Sequence, residues 1–115
     1  MSKQKQKGTL FEMQTLHYLQ EHGINATRNP LMGFKDVGDI TAVTGKGGFG
    51  VTVECKNHRK MELSEWLDEA ERERSNAKTS IGVVVHKRRG CGDANFGKTY
   101  VTMELSDLAW ILGLL

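Results

Sequence analysis

Apolar and polar residues alternate along Val51-Thr52-Val53-Glu54-Cys55-Lys56. That period predicts a strand with Val51, Val53 and Cys55 on one face and Thr52, Glu54 and Lys56 on the other. Just before it, residues 45–50 hold four glycines and predict a hairpin connection from an earlier strand over 39–43. Downstream the period changes. Leu63, Trp66, Leu67, Ala70 and Ala77 recur at helical spacing, which predicts an amphipathic helix over 63–78. Residues 81–85 are almost wholly apolar and rich in valine, as suits a strand covered on both faces. Upstream, residues 9–21 predict a helix opened by Thr9-Leu10-Phe11-Glu12, which has the form of a capping box. Weaker signals complete the chain. They are a short strand over 24–28, a turn-rich loop over 29–38 with the only proline, Pro30, and a basic loop over 86–98. A strand over 100–105 follows, then a last helix capped by Ser106.

A helix crossing between the strands at 51–56 and 81–85 makes those two strands parallel neighbours. The expectation is an α/β fold, an αβββαβ core plus an extra strand and a C-terminal helix, with one mixed β-sheet flanked by helices. Its 115 residues suffice for a single domain, taken as 9–115, after a flexible basic arm over 1–8. With 38% hydrophobic and 26% charged residues the chain is not of the disordered class. No apolar run approaches the roughly 20 residues of a membrane-spanning helix, and the first residues lack the apolar stretch of a secretory signal. Cys55 and Cys91 lack metal-type spacing and read as free thiols of a cytosolic protein. Nor do the four histidines show zinc spacing.

The formal charge of +2 conceals a division. Residues 62–74 contain six of the 14 acids and two of the 16 basic residues, so the remainder carries 14 basic and 8 acidic residues. Basic residues also cluster: Lys3, Lys5 and Lys7; Lys56, Arg59 and Lys60; Lys87, Arg88 and Arg89. Such patches suit a phosphate backbone, and equally a solubilising surface.

The candidate chemistry lies on the alternating strand. Glu54 and Lys56 project side by side from a strand that should be largely buried, where an ion pair needs further polar partners. On a solvent-exposed face the same pair would be ordinary. Asp39 opens the preceding strand after Gly38, and the hairpin brings it beside Glu54. Two carboxylates at adjacent strand positions repel unless a cation lies between them, and oxygen ligands of this kind suit Mg²⁺ or Mn²⁺. The competing role for Asp39 is to start a turn. Lys56 is placed to orient or deprotonate an attacking water. Neighbouring carboxylates favour its charged form and burial opposes it, so its state stays open. Arg74 falls near the apolar stripe of its helix, where it either reaches toward a substrate or snorkels to solvent.

Asp39, a hairpin and then Glu54-Cys55-Lys56 resemble the PD-(D/E)-x-K nuclease motif, with Gly38 where that motif often has proline. Proline there contributes turn geometry, so this departure is expected to be mild. The element order resembles the restriction-endonuclease-like core of that superfamily. Four segments further resemble Holliday junction resolvases, especially those of phages infecting actinobacteria. They are Lys7-Gly8-Thr9-Leu10-Phe11-Glu12, Lys35-Asp36-Val37-Gly38-Asp39-Ile40, Glu54-Cys55-Lys56-Asn57 and Val83-Val84-Val85-His86-Lys87-Arg88-Arg89-Gly90.

The resemblance implies a metal-dependent endodeoxyribonuclease with Glu12, Asp39, Glu54 and Lys56 as its catalytic set. Mg²⁺, with Mn²⁺ able to substitute, would be held by Asp39, Glu54 and the carbonyl of Cys55, with Glu12 completing the acidic cluster. Glu12 shares a helix stripe with Leu16 and Leu19, yet it also occupies the third helical position of the capping box from Thr9. The implied partner is branched double-stranded DNA, a four-way junction, cut by a homodimer that makes paired symmetric nicks. Neither a membrane nor a small-molecule cofactor is expected. Lys3, Lys5, Lys7, Arg28, Lys35, Asn57, His58, Arg59, Lys60, His86, Lys87, Arg88 and Arg89 are the expected DNA contacts. The apolar terminal helix, with Leu108, Trp110, Ile111, Leu112, Leu114 and Leu115, serves either a dimer interface or the core. Two other readings stay open: a nuclease of the same fold acting as a nickase, flap or restriction-type enzyme, and a non-catalytic DNA-binding module.

Overall fold

The alternating strand sits in the middle of the sheet in a computed structural model that describes residues 2–30, 36–45 and 47–114. This strand, β3 (Gly50–Lys56), is third in a five-stranded sheet of order β1 (Asn25–Arg28), β2 (Ile40–Val43), β3, β4 (Ile81–His86) and β5 (Tyr100–Thr102). β1, β2 and β3 run antiparallel in turn, and β5 is antiparallel to β4. β3 and β4 are parallel, with Val53 opposite Val83 and Glu54 opposite Val84, and α2 (Leu63–Ala77) makes the crossing between them as expected.

The alternation of β3 divides the two faces of the sheet. Val53, with Val51 and Cys55, joins Ile40, Ala42, Val83 and Val85 in a core closed by Phe11 and Leu16 of α1 (Lys3–Glu21). On the other face Val84 meets Trp66 and Ala70 of α2. Gly82 permits that approach: a Cβ there would lie 2.8 Å from the carbonyl oxygen of Ala70.

Several boundaries differ from expectation. α1 begins at Lys3, so residues 3–8 are its first turns and not a separate arm, and Ser2 caps it by accepting from the Lys5 N–H at 3.1 Å. The lysines and glutamines there have good intrinsic helix propensity without any apolar period to reveal it. At the other end, β5 stops at Thr102. α3 (Leu105–Leu114) starts before Ser106, with the Glu104 carbonyl accepting from Asp107 and Leu108, so Ser106 is not its cap. The loop over 86–98 contains a 3₁₀ segment, Asp93–Lys98, that buries Phe96 at 5.7 Å from the Phe11 ring.

The α3 helix packs sparingly. Ile111 joins the core and Trp110 meets Phe49 edge-on at 4.8 Å, while Leu105, Leu108, Leu112 and Leu114 stay exposed.

Candidate active site

Asp39 is set in place by a turn built around Gly38. Gly38 has φ +87, which L-residues rarely adopt and proline cannot, and a Cβ on it would lie 2.7 Å from Thr52 Cγ2. Glycine here is a requirement of this turn and not a mild departure from proline. Asp36 supplies the turn-forming carboxylate, with Oδ1 accepting from the Gly38 N–H at 2.9 Å. The Asn29 amide donates to the Gly38 carbonyl and to Thr41 Oγ1 at 3.2 and 2.9 Å. Asp39 is thereby left free of turn duty. Its N–H donates to the Val53 carbonyl at 3.1 Å, and its Oδ2 accepts from the Cys55 N–H at 2.8 Å. The Cys55 N–H thus points toward the β2 edge, and in an extended strand the carbonyl of the same residue points that way too.

Asp39 also faces Glu12 and Glu54. Glu54 is 6% exposed, and burial first, then Asp39, pushes its carboxyl up to about 11. Glu12 rises to about 7, again by burial first and then Asp39, against the opposing pull of Arg28. Because α1 starts at Lys3, Glu12 lies well inside the helix and is not the third residue of a cap. It pairs with Arg28, whose Nη2 lies 3.5 Å from Glu12 Oε2. From the turn before β2, Asp39 therefore interacts with one carboxyl group on α1 and one on β3.

The ammonium of Lys56 lies 3.4 Å from Glu54 Oε2 and 2.6 Å from Glu69 Oε1. Burial lowers its pKa, but bonding to Glu69 and the charges of Glu54 and Glu69 outweigh that, so the net shift is upward. Lys56 is charged, and a charged lysine donates hydrogen bonds instead of taking a proton. The Cys55 thiol is likewise pushed up, by burial first and then by Asp39, so it stays protonated and unreactive.

The basic candidates separate into groups. Lys7, Asn57, His58, Arg59 and Arg89 line one cleft of about 430 Å³ that reaches Cys55. Lys3 and Lys5 are exposed on the first turns of α1, and Lys60 is exposed beyond β3. Arg88 is also exposed and lies 5.3 Å from the centre of the Tyr100 ring. Three of the expected phosphate contacts have partners within the protein. His86 is 4% exposed with Nε2 at 2.7 Å from Thr102 Oγ1, because the strand continues one residue further than expected and carries it under Trp66. Lys87 Nζ donates to the Cys91 carbonyl at 2.5 Å. Arg28 turns to Glu12. Arg74 binds Glu71 and the Thr79 carbonyl at 2.9 and 2.8 Å, on its own helix and the turn after it. Lys35 lies outside the described residues.

Sequence reasoning passed over Glu69 and Glu73. One oxygen each of Glu54, Glu69 and Glu73 lie within 4.8 Å of one another, and Glu73 is 2% exposed. The signal was present: Trp66, Ala70 and Glu73 are spaced i, i+4 and i+7, which sets a carboxylate on the buried stripe.

No curated protein matches the sequence. The solved structure of Hjc, a Holliday junction resolvase from the archaeal hyperthermophile Archaeoglobus fulgidus, superposes with a TM-score of 0.59 at 20% identity. The alignment covers 84% of this chain and 76% of that one, so the mixed sheet and its helices share the restriction-endonuclease-like fold of Hjc. A family model described as "Phage putative PDDEXK endonuclease" matches residues 3–112. That match runs from the first turn of α1 into α3 and takes in every residue of the acidic cluster, and the chain belongs to this PDDEXK family.

Proposed function

We propose that the chain is a Mg²⁺-dependent endonuclease of branched duplex DNA, with the four-way junction as substrate and a twofold dimer as its working form. The observation that carries this reading is the position of Asp39, whose carboxylate interacts with Glu12 and Glu54 and accepts from the N–H of Cys55, a residue that lines the basic cleft. The donors fit a hard divalent cation. They are carboxylate oxygens and a backbone carbonyl, and each carboxylate raises the pKa of its neighbours where counter-charge is short. Asp39, Glu54 and the Cys55 carbonyl would hold Mg²⁺ or Mn²⁺, with Glu12 in support. A bound ion supplies positive charge beside the scissile phosphate and lowers the pKa of the attacking water.

This chain's own residues do the rest. Lys56, charged, donates to the attacking water and orients it in line with the departing oxygen, leaving a 5′-phosphate and a 3′-hydroxyl. Arg59, Arg89 and Lys7 hold the flanking phosphates along the cleft. A junction has two equivalent strands to nick, so a twofold pair of subunits matches it. The exposed leucines of α3 offer such a pair an apolar surface.

Purified protein with Mg²⁺ on a four-way junction, a flap, a linear duplex and a single strand tests the reading. Paired symmetric nicks confined to the junction are expected. Preferred cutting of the flap or duplex would make it a nuclease of the same fold with another substrate, and binding without cutting would make it a DNA-binding module. Light scattering in the presence of junction DNA should give a dimer.

A further inference from the structure

Glu69 and Glu73, one turn apart on α2, face β3. Glu73 is among the most buried large side chains of the described residues, and neither of its carboxylate oxygens accepts a hydrogen bond from any of them. Around it lie other acids: Asp36, Glu69, Asp39 and Glu54. Burial first, and then Asp36, pushes its carboxyl up to about 9. Arg74, the next residue, turns away to Glu71 and the Thr79 carbonyl. Lys56 reaches Glu54 at 3.4 Å and Glu69 at 2.6 Å. Glu54, Glu69 and Glu73 thus place three carboxyl groups beside that one ammonium. With one oxygen from each within 4.8 Å of the others, the three donors span the distance that a hard cation bridges.

We propose that Glu54, Glu69 and Glu73 form a second divalent-cation site, on the α2 side of β3, that takes Mg²⁺ or Mn²⁺ and shares Glu54 with the Glu12–Asp39 cluster. The proposal rests on the nuclease reading for the purpose of the site, but not for its chemistry. Glu54 would contribute to both sites, so occupation of one would affect the affinity of the other.

Mn²⁺ alone is a sufficient probe. Bound Mn²⁺ is counted by electron paramagnetic resonance and titration calorimetry on the full chain, for wild type, Glu73→Gln, Glu69→Gln and Asp39→Asn. Wild type is expected to bind two ions. Glu73→Gln and Glu69→Gln should each weaken one of them at least tenfold and keep the other, and Asp39→Asn should keep the ion that these lose. Glu69 is partly exposed, so its variant reads the site even where Glu73→Gln disturbs folding. Wild-type stoichiometry and affinity in both glutamine variants would overturn the proposal and leave the nuclease reading standing. Loss of one ion in these variants, in a protein that cuts no DNA, would support the site and remove its purpose.

Discussion

Glu54→Gln perturbs the electrostatics of the site while nearly preserving its shape. Glu54 is 6% exposed, and burial and then Asp39 raise its carboxyl from 4.5 to about 11. Between those values the folded chain holds a proton that the unfolded chain has released. The stability this group contributes is therefore complete below about 4.5 and is lost as pH rises toward about 11. At pH 8 the distance from the unfolded value is about 3.5 pH units, and ~1.4 kcal/mol per unit sets a ceiling of ~5 kcal/mol. Relaxation of the site and entry of water reduce it, and a gain of ~1–3 kcal/mol is expected, or roughly 3–10 °C in Tm for a domain of this size. Glutamine never ionises. Lys56 keeps its 2.6 Å partner Glu69, so the substitution strands no buried cation. Thermal unfolding followed by circular dichroism in EDTA should show Glu54→Gln more stable than wild type at pH 8 and equal to it at pH 4. Adding Mg²⁺ at pH 8 should then raise the wild-type Tm more than that of the variant. A variant less stable than wild type at pH 8, or a gain of the same size at both pH values, would refute the electrostatic account.

Other consequences follow from single contacts. Gly38→Ala places a Cβ 2.7 Å from Thr52 Cγ2 at φ +87, and should cost ~2–3 kcal/mol in a urea titration; an unchanged midpoint would contradict the turn geometry. Arg59→Ala and Arg89→Ala each remove one phosphate partner from the cleft. In fluorescence anisotropy with junction DNA, each should lower the slope of log Kd against log salt by about 1, and an unaltered slope would take that residue out of the interface. Lys56→Gln should lower kcat by about 10²-fold or more, as loss of an oriented donor does elsewhere, with the junction Kd little changed. A fall in affinity without a fall in kcat would make Lys56 a binding residue instead.

Much of this was legible because periodicity reports burial. The alternation at 51–56, the helical stripe at 63–77 and the apolar run at 81–85 together encode β3, α2 and β4, and the crossing helix makes the strand pair parallel. Glu12 stood on a stripe with two leucines, and the structure places it by Asp39. What escaped has a common cause. The first turns of α1 are polar all round, so no apolar period marked them, and Thr9 offered a plausible but false start. Glu73 escaped for the opposite reason. It occupies the buried stripe, but a stripe read only for its apolar members passes over a carboxylate among them. Gly38 was read as a stand-in for proline, whereas its positive φ depends on backbone contacts with β3 that the sequence does not display. Likewise His86 lies beneath Trp66 because β5 pairs with the end of β4, a non-local fact.

The central claim is that Asp39 and Glu54 hold the cation that makes this chain a nuclease. It is tested most directly by single-turnover cleavage of a labelled four-way junction by wild type, Asp39→Asn and Glu54→Gln, each with Mg²⁺ and with EDTA, and with junction affinity measured in parallel. The account predicts paired nicks by wild type with Mg²⁺ only, at least 10³-fold slower cutting by both variants, and junction affinities within a few-fold of wild type. Full cutting by either variant, or undiminished cutting by wild type in EDTA, would contradict it.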